Sequence, residues 1–245
     1  GTWRVRAALL AAIDDPAGAT ESLSHARALA ERLYAETHGE EAQARFLVHT
    51  MLDQADHALR QRAIETARDA ADSARKLCEA FASAQGAAPA WRAEAASCWD
   101  RLGEAARLAG AAPKVQDAFA RAAEFRRMAL AADRGNTSFK RGLAAALIKL
   151  GESALEAVSP DAARAAFVES TNLRLELADA APKDPASAHM LAVALERLGL
   201  AARACGDFQA ARGAWEEELD LADRIFADDD SLDALRFRAI VEAHL

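Results

Sequence analysis

The apolar positions of this chain recur at an interval of 48 residues. Leu29, Leu77, Phe125, Leu173 and Leu221 fall in one column, and Leu33, Phe81, Ala129, Leu177 and Ile225 in a second. Trp3, Met51, Trp99, Leu147 and Leu195 form a third. The same offset superimposes Arg101-Leu102-Gly103-Glu104, Lys149-Leu150-Gly151-Glu152 and Arg197-Leu198-Gly199-Leu200, and it aligns Phe119, Phe167 and Trp215. Apolar columns held in one register over five units, without an insertion, are the signature of a repeat architecture.

Helix breakers divide each unit in two. Pro182 to Pro185, Gly135 to Ser138, Gly86 to Pro89 and His38-Gly39 separate successive units. Asp14 to Pro16, Gly110 to Pro113, Ser159-Pro160 and Gly206-Asp207 lie inside them. Asp15-Pro16 and Ser159-Pro160 place a capping side chain before a proline whose missing N–H the helix start does not need. First helices are predicted near 2–13, 41–61, 89–109, 138–157 and 186–205. Second helices are predicted near 17–36, 64–84, 113–132, 160–181 and 208–227, with a last helix at 232–244. Between Glu41 and Ala84 there is no Gly or Pro. Local signals there permit one long helix, and the register instead puts a turn at Arg62-Ala63.

Composition agrees with an all-α chain. Alanine supplies 67 of the 245 residues and aromatic residues 6%; alanine loses no side-chain entropy in a helix, whereas strands favour β-branched and aromatic residues. Small side chains spread over many helices suit an extended array better than one deep core. The expected organisation is a single solenoid over 1–245 with units 1–38, 39–86, 87–135, 136–183 and 184–230 and a terminal helix at 231–245. No apolar run reaches the roughly 20 residues of a membrane span.

The formal charge of −8 disfavours nonspecific binding to nucleic acid or an anionic membrane. From Asp207 onward eleven acids face four arginines, so the acidity is concentrated at the C-terminal end; a solvated cap is the expected reading. Cys78, Cys98 and Cys205 are scattered along the chain without a CxxC pair, which suits a reducing cytoplasm and no disulfide framework. The chain opens on Gly1 and Leu245 aligns with Arg197 inside a helix. A fragment whose array continues, or one ended by short capping helices, is therefore expected.

Trp99-x2-Leu102-Gly103-x2-Ala106 resembles the opening pattern of the tetratricopeptide repeat (TPR), with alanine at the usual aromatic place. Leu147, Leu150, Gly151 and Ala154 repeat it, as do Leu195, Leu198, Gly199 and Ala202. Ala163-x3-Phe167-x2-Ser170 fits the second helix; Ala211-x3-Trp215 fits until Glu218. The two N-terminal units depart, with Arg6 and Gln54 at the leucine and Ala7 and Ala55 at the glycine. The interval of 48 also exceeds the family's usual length of about 34. The resemblance implies antiparallel helix pairs stacked in a right-handed superhelix. Gly103, Gly151 and Gly199 then let the paired helices approach, and Trp99, Leu102 and Phe119 fill the space between them.

The resemblance further implies a concave groove lined by the first helices, serving as a protein–protein interaction scaffold for a peptide or partner segment. Four rungs would face it: His49, Leu52, Asp56 and Leu59; Ser97, Asp100, Glu104 and Arg107; Ala145, Ile148, Glu152 and Leu155; Val193, Glu196, Leu200 and Arg203. Asp56, Glu104 and Glu152 make an acidic ladder among apolar patches, which suits a segment with basic and apolar side chains. The chain has two asparagines, Asn136 and Asn172, neither on a groove position; this argues against the family's carboxylate clamp for chaperone tails. Long TPR-like arrays also occur beside caspase-like proteases or nucleotide-hydrolysing modules. The alternative is therefore a regulatory or sensor region of a larger signalling or effector protein.

Nothing in the sequence carries catalysis, and no cofactor is implied. His49, Asp53 and His57 fall at i, i+4 and i+8 on one helix face, a spacing able to chelate a transition metal. Without a fourth ligand or HExxH, a polar helix face is the expected reading. The cysteines read as small buried residues. Arg101, Lys149 and Arg197 form a basic column with no aromatic residues interleaved for base stacking, and are expected to pair with acids on adjacent helices.

Overall fold

A computed structural model describes residues 2–182, 184–225, 239 and 241–244. Among the described residues there are ten helices and no strand. The chain divides into two compact units, Gly1–Ala132 and Asp133–Leu245. The first holds α1 (Thr2–Ala12), α2 (Pro16–Glu36), α3 (Glu41–Arg60), α4 (Ile64–Ala82), α5 (Pro89–Leu108) and α6 (Ala112–Ala132). The second holds α7 (Thr137–Glu156), α8 (Pro160–Ala180), α9 (Pro185–Ala204) and α10 (Phe208–Ile225). Within each unit every helix packs on the next in sequence, and the odd-numbered helices also touch, α3 on α5 and α7 on α9. The last helix expected at 232–244 lies largely outside the described residues.

The turns inside the pairs share one backbone device. Asp14, Arg62, Gly110, Val158 and Gly206 all have left-handed φ, at 61°, 55°, 69°, 57° and 79°. These positions are 48 apart at every step, although only two are glycine. At Arg62 the N–H donates to the Leu59 carbonyl at 3.0 Å and the Ala63 N–H to the Ala58 carbonyl at 2.9 Å. That is the crossed pair of bonds that satisfies the last carbonyls of a helix ended by a left-handed residue. The same pair recurs at Val158-Ser159, donating to Leu155 and Ala154. The stretch 41–84 is therefore two helices, broken at Arg62-Ala63 by a non-glycine residue that no local sequence signal marks.

Helix starts are capped unevenly. Asp15 accepts from the Gly18 N–H at 2.9 Å, and Asn136 accepts from Ser138 and Phe139 at 3.1 and 3.2 Å. Ser159, expected to cap α8, makes no side-chain cap bond, and Pro160 at the first helical position serves alone.

Alanine does the close packing. The buried residues of α4 are Ala67, Ala70, Ala71 and Ala74 together with Cys78. Where a first helix meets its own second helix, a glycine lies against an aromatic ring. A β-carbon built on Gly103 would come within 2.7 Å of Phe119, and those on Gly151 and Gly199 would run into Phe167 and Trp215. Phe119 and Phe167 are fully buried. Trp99 and Leu102 do not share this space. Trp99 donates to Glu79 at 3.0 Å with Arg75 over its ring, and Leu102 packs on Ala55, Ala70 and Ala71. Both face the preceding pair, whose helices α3 and α4 supply these contacts. The most deeply buried tryptophan is instead Trp91, 1% exposed, stacked on Phe81 and donating to Glu41 at 2.9 Å.

Candidate functional site

Within each unit, charge pairs link odd-numbered helices. Arg4 of α1 pairs with Asp53 of α3. Arg101 of α5 holds both carboxylate oxygens of Asp56 on α3, at 2.9 and 2.7 Å. In the second unit Arg197 of α9 reaches Glu152 of α7 at 3.1 Å. Two residues of the basic column, Arg101 and Arg197, are thus spent on acids of neighbouring helices, as the sequence suggested. The acidic ladder is offset by these arginines at Asp56 and Glu152, and at Glu104 by Arg107 of its own helix, 3.4 Å away. Asp56, Arg101, Glu152 and Arg197 are each about one-third exposed, so these pairs add little stability individually and chiefly fix the side chains in place.

The remaining groove positions divide into two groups. Leu52 is buried in the core of the first unit beside Met51 and Trp91. Asp100 is buried and pairs with Arg126 of α6 at 2.5 Å. Neither offers itself to a ligand, because each points toward a packed helix rather than along the first-helix face. Arg107 lays its guanidinium over the Phe119 ring and Arg203 over Trp215, at 5.1 and 5.5 Å. Ile148 and Leu155 are half-buried against Phe167 and Ala201, and Leu200 against Trp215. Glu196 is half-buried, 3.5 Å from Arg197. Half-exposed apolar side chains beside oriented charges can hold a partner's side chains without further rearrangement.

His49, Asp53 and His57 are drawn apart. His57 is buried, its Nε2 2.9 Å from the Thr20 hydroxyl and 3.2 Å from the Pro16 carbonyl. Asp53 is taken by Arg4, and His49 lies 3.7 Å from Glu94. Among the described residues no three His, Cys, Asp or Glu side chains gather as metal ligands. No helix among the described residues is long and apolar enough to cross a membrane.

Two features escaped the sequence. Cys78 and Cys98, twenty residues apart, place their sulfurs 3.9 Å from each other in the core. The contact with Cys98, followed by burial, pushes the Cys78 thiol up, so it stays protonated and unreactive. Cys205 is half-buried, with its thiol 3.5 Å from Asp161. Glu218 is 2% exposed on α10, and burial with the nearby Glu196 pushes it up to about 7. Its column reads Ala26, Ala74, Ala122 and Ser170 in the other pairs; that mismatch was the available signal.

No family model and no curated protein sequence matches the chain. Solved structures do. The apo form of RapI matches with a TM-score of 0.64 over 100% of this chain and 82% of RapI, at 9% identity. BtubC (BKLC) from P. vanneervenii matches over 86% of this chain and 92% of its own, at 18% identity and a TM-score of 0.42. A TPR repeats protein from Bacteroides fragilis NCTC 9343 matches over 100% and 98% at 12% identity and a TM-score of 0.33. The likeness to RapI is one of fold, and the chain has a TPR-like helical-repeat fold.

Proposed function

We propose that the chain is a protein-interaction scaffold of a long-helix TPR type, built on a 48-residue repeat, whose binding face is made by its first helices. In the first unit α3 and α5 would supply Asp56, Glu104 and Arg107. In the second, α7 and α9 would supply Ile148, Glu152, Leu155, Glu196, Leu200 and Arg203. Leu52 and Asp100 support that face from behind. The observation that carries the reading is the pairing of Asp56 with Arg101 and Glu152 with Arg197. Such pairing holds charged heads in fixed geometry beside half-buried apolar side chains, a composition suited to protein surfaces rather than to a small reactive substrate. The partner is a protein segment with apolar side chains, and with basic ones where Glu196 and the ladder acids lie. Three free thiols suit a reducing, cytoplasmic setting. A regulatory region of a larger signalling protein would use the same face, with the segment supplied by its own chain.

The test is a photo-crosslinking residue placed singly at Ser97 or Val193 on first helices, and at the exposed second-helix positions Arg121 or Val168. One and the same protein crosslinked from Ser97 and Val193, and from neither second-helix position, is the expected result. Crosslinks confined to Arg121 and Val168 would move the interaction to the opposite face.

A further inference from the structure

We infer that a half-open pocket in the second unit, lined by α7, α8 and α9, binds a carboxylate carrying a short aliphatic chain. The cavity has a volume of about 350 Å³ and is open on one side. Its apolar walls come from Ala145 of α7, Leu177 of α8 and Met190 of α9, and Arg174 of α8 lies at its side.

Arg174 is 7% exposed. Its Nε donates to the Ser170 hydroxyl at 3.3 Å and one terminal nitrogen to the Met190 carbonyl at 2.9 Å. Both acceptors are neutral, and no carboxylate among the described residues pairs with it. Burial pulls its pKa down with no acid to oppose the change, yet a guanidinium stays charged in any folded protein. A buried cation without a counter-ion is costly, so a site that keeps one invites an anion.

The repeat register shows what has been removed. Arg126 stands 48 residues before Arg174, and Arg126 is paired with Asp100. The residue 48 positions after Asp100 is Ile148. The arginine is thus repeated without its acid, and the space beside it is open rather than filled.

Asp184 also lines the cavity and does not neutralise Arg174. Its oxygens accept from the Ala186 and Ser187 N–H groups, each at 3.2 Å, and from the Ser187 hydroxyl at 2.6 Å. That set caps α9, and the Ser187 hydroxyl foremost, with Arg141 further off, holds Asp184 below the usual carboxylate range. Arg141 lines the same cavity, so one arginine balances the acid and Arg174 remains in excess. The planar guanidinium fork matches a carboxylate, and Leu177, Met190 and Ala145 would receive the aliphatic part. Two sources share this chemistry, a free short carboxylic acid and the C-terminal residue of a peptide ending in an apolar side chain. The inference does not depend on the first-helix face binding a protein.

The full chain is titrated with hexanoate and with its neutral isostere hexanamide, read by backbone amide resonances. Hexanoate is expected to shift residues around Ala145, Leu177 and Met190 with an affinity of about millimolar, and hexanamide to bind at least about tenfold more weakly. Arg174→Met abolishes the hexanoate response; Ala145→Phe, at an exposed position, blocks the cavity independently if Arg174→Met does not fold. The tripeptide Gly-Gly-Leu with a free C-terminus, compared with its amide, separates the sources: tighter binding than hexanoate assigns the site to peptide ends, weaker binding to free acids. Equal response to hexanoate and hexanamide, no response to hexanoate, or a response that survives Arg174→Met or Ala145→Phe overturns the proposal.

Discussion

Phe167 lies over Gly151 so closely that no β-carbon can be added to the glycine without moving the ring. The ring is fully buried, so it has little room to give. Gly151→Ala is therefore expected to destabilise the second unit by roughly 1–3 kcal/mol, although alanine is the better helix former by about 1 kcal/mol. Gly151→Ala combined with Phe167→Leu should recover much of the loss. Chemical denaturation of the four proteins of this cycle checks the coupling; additive effects would show that the contact is not what limits the glycine.

Val158 occupies a left-handed turn, with φ of 57°, while 86% exposed. A β-branched residue is strained there, and it buries nothing in exchange. Val158→Gly is expected to stabilise the chain by about 1 kcal/mol, whereas Gly206→Val in the corresponding turn should cost a similar amount. Thermal unfolding of both variants decides it, and a loss of stability in Val158→Gly would contradict the strain.

Glu218 makes stability depend on pH. Its carboxyl is raised to about 7 by burial first and by Glu196 second, with Arg197 acting in the opposite sense. A raised acid binds its proton more tightly in the folded chain. Its contribution is therefore complete below the unfolded value near 4.5 and is lost as pH rises through about 7. The loss amounts to roughly 3 kcal/mol at most. Denaturation midpoints measured from pH 4.5 to 8 should fall for the natural chain and fall less for Glu218→Gln. Glu218→Ala, which restores the residue of the Ala26, Ala74 and Ala122 column, should be the more stable protein at pH 8.

Asp100 and Arg126 form a charge pair whose side chains are 12% and 13% exposed. Removing the acid alone leaves a buried guanidinium, so Asp100→Ala is expected to cost about 3–5 kcal/mol. Replacing both with apolar residues, as Asp100→Ile with Arg126→Leu, should restore most of that stability. A double variant as unstable as Asp100→Ala would mean that the pair itself, rather than the stranded charge, holds α5 to α6.

The helices and their pairing were legible in the chain because both rest on local rules. The columns ending in Leu221 and Leu195, the prolines at 16, 160 and 185, and the abundance of alanine dictate paired helices, and Gly103, Gly151 and Gly199 announce their aromatic partners. Less was legible at the candidate face. The column of Arg101 and Arg197 was readable as ion-pairing from composition, since arginines without aromatic neighbours have acids as their natural partners. Leu52 and Asp100, assigned to that face by analogy, turn inward. Which side of a helix is covered depends on the neighbours that pack there.

The sequence by itself determined the all-α class, the order of first and second helices and the small residues where they meet, since each follows from spacing along one chain. Only the tertiary structure decided the break at Arg62, the approach of Cys78 to Cys98 and the isolation of Arg174. The backbone adopts a left-handed turn at Arg62 because the packing of α3 and α4 requires one, whatever residue is present. Sulfurs twenty residues apart meet because two helices cross there. Whether an arginine has its counter-ion is a question of which side chains share its space, and Ile148 answers it only once α7 is laid against α8.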